Sequence, residues 1–504
     1  MSAKDSDKLI VRNTVYLYIQ TIIVLIVSLY TSRVILNTLG VVDYGIYNVV
    51  GGVITMFSFI GGSLTTASQR FITFELGKGE NGNVNKIFSI SLLVHLSFAL
   101  VIVIIAEPIG IWFINNKLQI PPDRLVAAQW LFQFTIISMI FMFASVPYSA
   151  LIVAHEKMTA FAIIAILDSF LKLGIAFSIL FFNRDKLVLY GLLMCLEQVL
   201  IRIVYSVYCK RNFRESRFHF YFDKAILKEY GGFASWSLFG NAAVMTYTQG
   251  LNMLLGVFFS PVVNAARGVS VQVQGAINHF VNSFLTAINP QITKRYASGQ
   301  TQDMLNLVFF SSRFSFYLLL IMSVPILLET DFVLRLWLGK VPAYSVTFLR
   351  IILLTTWINS LANPLIVTVK ATGNVKKYES TIAVIMLLIL PISYFFLRQG
   401  YPPHIVFVVH LFVECIAMVF RIIITRSLVH FSLRNYLNKV IVRVVIVALI
   451  AIVFPLSFYF WFNQTDFRPF VTISSSIISS FVTIYFIGLS VDEKALLFSI
   501  FKKG

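Results

Sequence analysis

The sequence predicts an all-α membrane protein of about fourteen transmembrane helices. Three observations carry that expectation. Of its 504 residues, 58% are hydrophobic and only 12% are charged, where a soluble chain carries about 25% charged residues. The mean hydropathy is +0.84. The apolar residues fall in long continuous runs rather than alternating with polar ones at period two, which argues against a transmembrane β-barrel. The same composition excludes a soluble globular enzyme, a disordered chain and a disulfide scaffold.

A helix needs about 20 mostly apolar residues to cross a bilayer. Runs of that kind, separated by Gly, Pro and charge clusters, lie at 13–38, 45–73, 87–113, 125–154, 158–182, 187–209 and 233–259 in the first half. The second half gives 262–290, 304–328, 344–369, 377–397, 402–426, 440–462 and 469–490. The first run follows the charged start MSAKDSDKLIVRN and is too long for the apolar core of a signal peptide. Only the short turn Leu39–Tyr44 divides it from the second, which carries the pairs Gly51-Gly52 and Gly61-Gly62. Such pairs permit bending or close helix approach. The seventh and eighth runs are split only at Ser260-Pro261. Pro147, Pro325, Pro364, Pro391 and Pro455 stand inside runs four, nine, ten, eleven and thirteen. Each removes a backbone donor and kinks its helix. Cys195, Cys209 and Cys415 form no C-x-x-C pair and read as packing residues.

Orientation follows from the net charge of +18. Basic connectors mark the cytoplasmic side of a membrane protein rather than a nucleic-acid site. With the N-terminus inside, the inner segments hold 21 Lys and Arg and the outer connectors 8, among them Lys117, Arg124, Arg184 and Lys340. Both termini are therefore expected in the cytoplasm. The longest inner connector, 210–232, carries six basic residues and sits near mid-chain. It reads as a linker between two halves, with a basic character that also suits an anionic leaflet.

The halves show a weak internal repeat. FITFELGKGE at 71–80 and QITKRYASGQ at 291–300 align at an offset of 220, and PYSALIVAHEKMTAF and PLIVTVKATGNVKKY, starting at Pro147 and Pro364, at an offset of 217. The expected organisation is a six-helix lobe at 1–209, the basic linker 210–232, a second six-helix lobe at 233–426, and an added helix pair with a tail at 427–504.

Ionisable side chains inside a bilayer each need a reason, at a cost of about 2.5–3.5 kcal/mol on insertion scales. Arg70, Lys377, Arg426 and Arg443 stand near inner ends, where they can snorkel. Arg33, Lys172, Arg202, Arg267, Arg313, Arg350 and Arg421 sit deeper; the acidic set is Glu107, Asp168, Glu197, Glu379 and Glu414, joined by His95, His279 and His410. Asp168 and Lys172 are four residues apart on one face, as are His410 and Glu414, with Arg421 two turns further. These groups fit either structural ion pairs or a proton or Na+ relay, as does Glu197, which has no partner on its own helix. Arg33 and Arg267 lack an acidic neighbour three or four residues away. Arg267 opens a polar run of Gln272, Gln274, Asn278 and His279 that suits a wetted wall.

Several motifs have a family likeness. LGVVDYGIYNVVGG, ASQRFITFELGKGE, PYSALIVAHEKMTAF and the tail LSVDEKALLFSIFKK resemble bacterial polysaccharide flippases of the O-antigen type. These belong to the larger group that includes MATE-type multidrug exporters. The resemblance implies a MATE-like arrangement of two six-helix lobes around a cavity open alternately to each side. It also implies transport, in the bacterial inner membrane, of undecaprenyl-diphosphate-linked oligosaccharide for surface polysaccharide. In such proteins the first, second, seventh and eighth spans line the cavity. The resemblance thus places Arg33 and Arg267 where a guanidinium pairs with a diphosphate, and Gln272, Gln274, Asn278 and His279 on a sugar-facing wall. Asp168, Lys172, Glu197, His410 and Glu414 are the candidates for coupling to H+ or Na+. Other polysaccharide-assembly proteins are the expected protein partners; no catalytic residue, metal or cofactor is expected.

Two other classes compete. A MATE-like exporter of cationic drugs should place unpaired carboxylates in its cavity, whereas the deep charges here are mostly basic. A membrane-embedded polymerase or ligase usually needs a sizeable outer loop, and the longest outer connector, 329–343, has only fifteen residues. There is no G-x-x-x-x-G-K-[ST] phosphate loop, so energy would come from an ion gradient, the membrane potential or substrate removal.

Overall fold

The computed structural model describes residues 3–55, 58–116, 120–182, 185–259, 261–338, 341–462, 467–490 and 493–494. Lys117, Arg184, Lys340, Ser260 and nearly all of the tail after Ser490 lie outside them. Among the described residues all regular structure is helical and no strand occurs. Among the described residues eleven helices are long and apolar enough to cross a membrane, which makes this a multi-pass membrane protein.

The helices follow the expected runs to within a few residues. Helix α1 (Ala3–Thr55) is two helical stretches joined across a kink at Gly40, at φ 77°, inside the expected first connector. Glycine takes that backbone without a Cβ clash, so one residue suffices where a turn was expected. The second run continues into α2 (Ser58–Gly77), and α3 (Val84–Asn116), α4 (Leu125–Ala154), α5 (Met158–Ser178) and α6 (Lys186–Asn212) follow. Asp185 caps α6, accepting the N–H groups of Leu187 at 3.0 Å and Val188 at 3.2 Å. Helices α7 (Lys224–Phe258) and α8 (Pro261–Ala297) meet at the expected Ser260-Pro261 split. Pro261 is the first helical residue, where a missing N–H has no partner to lose.

Next come α9 (Thr301–Leu328), the short α10 (Thr330–Leu338) and α11 (Ser345–Thr372), which Gly373 closes in the left-handed region at φ 78°. The eleventh run is two helices, α12 (Lys376–Leu387) and α13 (Ile389–Arg398). Pro391 explains the break: its ring collides with the carbonyl four residues back, that of Leu387. Helices α14 (Ile405–Val429), α15 (Leu433–Tyr436), α16 (Arg443–Trp461) and α17 (Arg468–Thr483) follow. The three expected spans missing from the eleven are the second, seventh and eighth. Helices α7 and α8 are long enough but more polar, as helices facing something other than lipid would be, and the second span straddles residues 56–57, which lie outside the described residues.

The chain forms two compact units, Asn13–Leu238 and Phe239–Gly504, the latter joined by Met1–Arg12. The division falls inside α7, and the linker 210–232 lies wholly in the first unit. In that unit α4 is the hub, packed on α2, α3, α5 and α6 around fully buried Phe88, Ala128, Phe132 and Ala150. In the second unit α11 takes the same role, against α8, α9, α10 and α14, around Leu320, Phe348 and Leu353. Pro147 belongs to α4 and Pro364 to α11. Helices α16 and α17 pack on α9, with Thr472, Ser476 and Ser480 of α17 fully buried. Small residues let backbones approach closely where lipid offers no hydrophobic drive for helices to associate. Large apolar side chains such as Ile104, Phe412 and Phe460 are exposed, as lipid-facing residues must be.

Candidate functional site

Within the second unit α7, α8, α9, α11 and α14 enclose a polar cavity of about 230 Å3. One face of α8 forms a wall through Arg267, Val271, Gln274, Asn278, Val281, Asn282 and Leu285. These positions recur at three to four residues, the period of a single helical stripe. Helix α11 answers with a stripe of its own at Ile352, Thr355, Thr356, Asn359, Ser360 and Asn363, while Tyr247, Thr248 and Leu251 come from α7, and Phe407 and His410 from α14. No lining residue is a carboxylate; the lining holds one guanidinium, one imidazole, and amides and hydroxyls that both donate and accept.

Arg267 is buried, and its partners lie on the neighbouring helix rather than its own. One terminal nitrogen donates to Asn252 Oδ1 and the other to the Thr248 carbonyl at 2.9 Å. Its Nε is buried without a partner. A whole positive charge is thus held by neutral oxygens alone, with at least three of its five N–H donors uncommitted. Gln274 is fixed by donation to Thr356 Oγ1 at 2.8 Å, tying α8 to α11. His410 packs edge-on to Tyr247 with ring centroids 5.3 Å apart. Behind it Glu414, fully buried, is bound by Arg421 of its own helix, and Arg421 Nε also donates to Tyr378 Oη at 3.3 Å.

The structure gathers some of the sequence-derived candidates and separates others. Arg267, Gln274, Asn278 and His410 share the cavity. Gln272 and His279 do not: each is exposed, one position past the wall stripe and so about 100° around the helix. Arg33 is exposed on α1 in the other unit and has no partner among the described residues. The remaining deep cations are engaged. Arg202 stacks over Tyr148 at 4.0 Å. Arg313 binds Glu493 and the Lys439 carbonyl, and Arg350 donates to the Leu327 carbonyl and Thr330 Oγ1, each at 3.1 Å.

Asp168, Lys172 and Glu197 form a second polar cluster, in the first unit. Lys172 Nζ lies 2.6 Å from Asp168 Oδ2 along α5. Glu197 of α6 is 4% exposed and accepts from Gln198 Nε2 at 2.7 Å, its Oε1 is buried without a hydrogen-bond partner, and Asp168 and Lys172 are near enough to act on it electrostatically. Two carboxylates and one ammonium at that range can hold a proton or a small cation. Among the described residues no three His, Cys, Asp or Glu side chains gather as a metal site.

No sequence-family model and no curated protein matches the chain. Solved structures do. A MATE transporter in the bent conformation superposes with a TM-score of 0.74 at 12% identity, over 84% of this chain and 96% of its own. An outward-facing multidrug resistance MATE family transporter of the MOP superfamily gives 0.70 at 13% identity, over 84% and 96%. A MOP superfamily transporter from Pyrococcus furiosus Vc1, described as having a binding pocket of reverse polarity that suggests a different function, gives 0.69 at 13%, over 84% and 96%. The chain therefore has the MATE transporter fold.

Proposed function

We propose that this chain is a flippase. It carries undecaprenyl-diphosphate-linked oligosaccharide across the bacterial inner membrane by alternating access between two pseudo-symmetric six-helix lobes, both termini being cytoplasmic. The observation that carries the reading is the carboxylate-free cavity around Arg267. A buried guanidinium caged by neutral oxygens has unspent affinity for an anion, and a diphosphate supplies both the counter-charge and paired acceptors. The amides of Gln274 and Asn278, with the hydroxyl-rich α11 stripe, match sugar hydroxyls that need donors and acceptors together. Arg33 supplies a second guanidinium from the first lobe.

Coupling to H+ or Na+ falls to Asp168, Lys172 and Glu197 in the first lobe, with His410 and Glu414 in the second. Of these, Glu414 is the one already neutralised by a guanidinium. A MATE-like exporter of organic cations is the alternative reading, favoured only by the Asp168–Glu197 pair. Any cationic drug would have to compete with Lys172 for that pair. Binding of a fluorescent lipid diphosphate to the purified protein tests the choice. It should be displaced by excess undecaprenyl-diphosphate-linked oligosaccharide and not by ethidium; the reverse pattern would favour the exporter.

A further inference from the structure

The linker 210–232 is a fixed strap with an unusual outer face. Residues 217–223 between the end of α6 and the start of α7 are non-helical, and they are held by the first turns of α3. Asn85 donates to the carbonyls of Glu215 at 2.8 Å and Arg217 at 2.6 Å. Ser89 Oγ accepts the His219 N–H at 3.1 Å, and Lys86 Nζ reaches Asp223 Oδ2 at 2.7 Å. Lys86 and two backbone N–H groups hold the Asp223 carboxyl below the usual carboxylate range. Phe218, Phe220 and Phe222 are left 49%, 70% and 75% exposed, while Tyr221 and Asp223 between and beside them are half-buried.

The charges sort the same way. Of the linker's acids, Glu215 is hydrogen-bonded to His155 at 2.6 Å, Asp223 is spent on Lys86, and Glu229 stands 3.4 Å from Arg70. Lys210, Arg211, Arg214, Arg217, Lys224 and Lys228 are all exposed and have no acidic partner among the described residues. Positive connectors alone would be ordinary on the inner side of a membrane protein. Three phenylalanines presented together and braced in place are not, because an aromatic at a membrane boundary belongs in the headgroup belt.

We propose that this strap is a membrane-surface anchor: Phe218, Phe220 and Phe222 insert at the headgroup–acyl boundary and the six flanking cations bind anionic phospholipid headgroups. The strap is stitched to the first turns of α3, one end of a helix long and apolar enough to cross a bilayer, and the proposal sets it at headgroup level there. Because each cation near an anionic surface adds to the attraction, insertion is sensitive to lipid charge.

The test uses the full chain with Cys415→Ser, Cys195 and Cys209 being buried, and a nitroxide attached at Phe220→Cys or, as a water-exposed reference, at Glu80→Cys. Collisions with oxygen and with a water-soluble nickel complex are measured in vesicles of 3:1 phosphatidylcholine to phosphatidylglycerol and of phosphatidylcholine alone. The label at 220 should be shielded from nickel in the anionic vesicles and become at least about tenfold more accessible in the neutral ones. Changing Lys210, Arg211, Arg214 and Arg217 to Gln should produce the same release. Equal nickel access at 220 and 80 in anionic vesicles would overturn the proposal. So would shielding that ignores lipid charge, or shielding found only in native membranes, which would assign the face to a protein. None of these readouts depends on what the chain transports.

Discussion

Replacing Arg267 probes the cavity most sharply. Arg267→Ala removes the donors to Asn252 Oδ1 and the Thr248 carbonyl. Thr248 keeps its helical backbone bond, so the structural loss falls mainly on Asn252. Asn252 is only half-buried, so losing its donor should cost no more than the low end, about 1 kcal/mol, of the penalty for an unpaired buried acceptor. The functional loss is separate. A charge-assisted hydrogen bond to phosphate contributes about 1.5–3 kcal/mol, so affinity for a lipid diphosphate should fall about 10- to 150-fold. Arg267→Lys keeps the charge but loses the planar fork that offers a diphosphate paired N–H groups, so transport should be impaired in part. The assay is complementation of surface polysaccharide in a host lacking its own flippase, with membrane expression and thermal unfolding measured alongside. Full activity of the Arg33→Ala, Arg267→Ala double variant at normal expression would show that neither guanidinium binds substrate.

Other consequences are equally open to measurement. Reporter fusions at Leu118 and Gly504 should report opposite sides of the membrane, and the same side for both would refute the orientation. Gly110→Ala places a Cβ 2.5 and 2.8 Å from Cε2 and Cε1 of Phe132, a fully buried ring; overpacking there should cost about 1–3 kcal/mol, and an unchanged thermal midpoint in detergent would contradict the packing. Arg421→Met strands the Glu414 charge and should cost about 3–5 kcal/mol, whereas adding Glu414→Leu should restore most of the folded yield; equal yields for both variants would mean the pair carries no structural weight. Asp223, with its pKa lowered by Lys86, contributes stability above the ordinary carboxylate range and loses it as pH falls through its own pKa. A label at 220 should therefore loosen on acidification, and Asp223→Asn should loosen it at neutral pH; a label whose mobility ignores both changes would show that this bond does not hold the strap.

The helices were legible because each apolar run has only one way to satisfy its backbone in lipid. Interruptions were harder. Leu39–Tyr44 reads as a connector, yet a single glycine makes the bend, and Pro391 splits a run that composition leaves whole. Half of the cavity was legible too. The polar run after Arg267 stands out, but treating it as one wall included Gln272 and His279. Stepping by the helical period from Arg267 selects Gln274, Asn278 and Asn282 instead, and the same step along α11 finds Thr356, Asn359 and Asn363. What no periodicity supplies is register between helices. That Asn252 of α7 meets Arg267, and that Glu197 meets Asp168, depends on packing between separate segments.

The central claim is tested most directly in proteoliposomes holding the purified chain and an undecaprenyl-diphosphate-linked oligosaccharide labelled on its sugar. A membrane-impermeant enzyme outside the vesicles modifies only the exposed sugars. The account predicts that the wild-type chain makes the inner-leaflet pool accessible, and that the Arg33→Ala, Arg267→Ala variant does so far more slowly. Wild-type vesicles that leave this pool untouched while moving an organic cation against a Na+ or H+ gradient would contradict it.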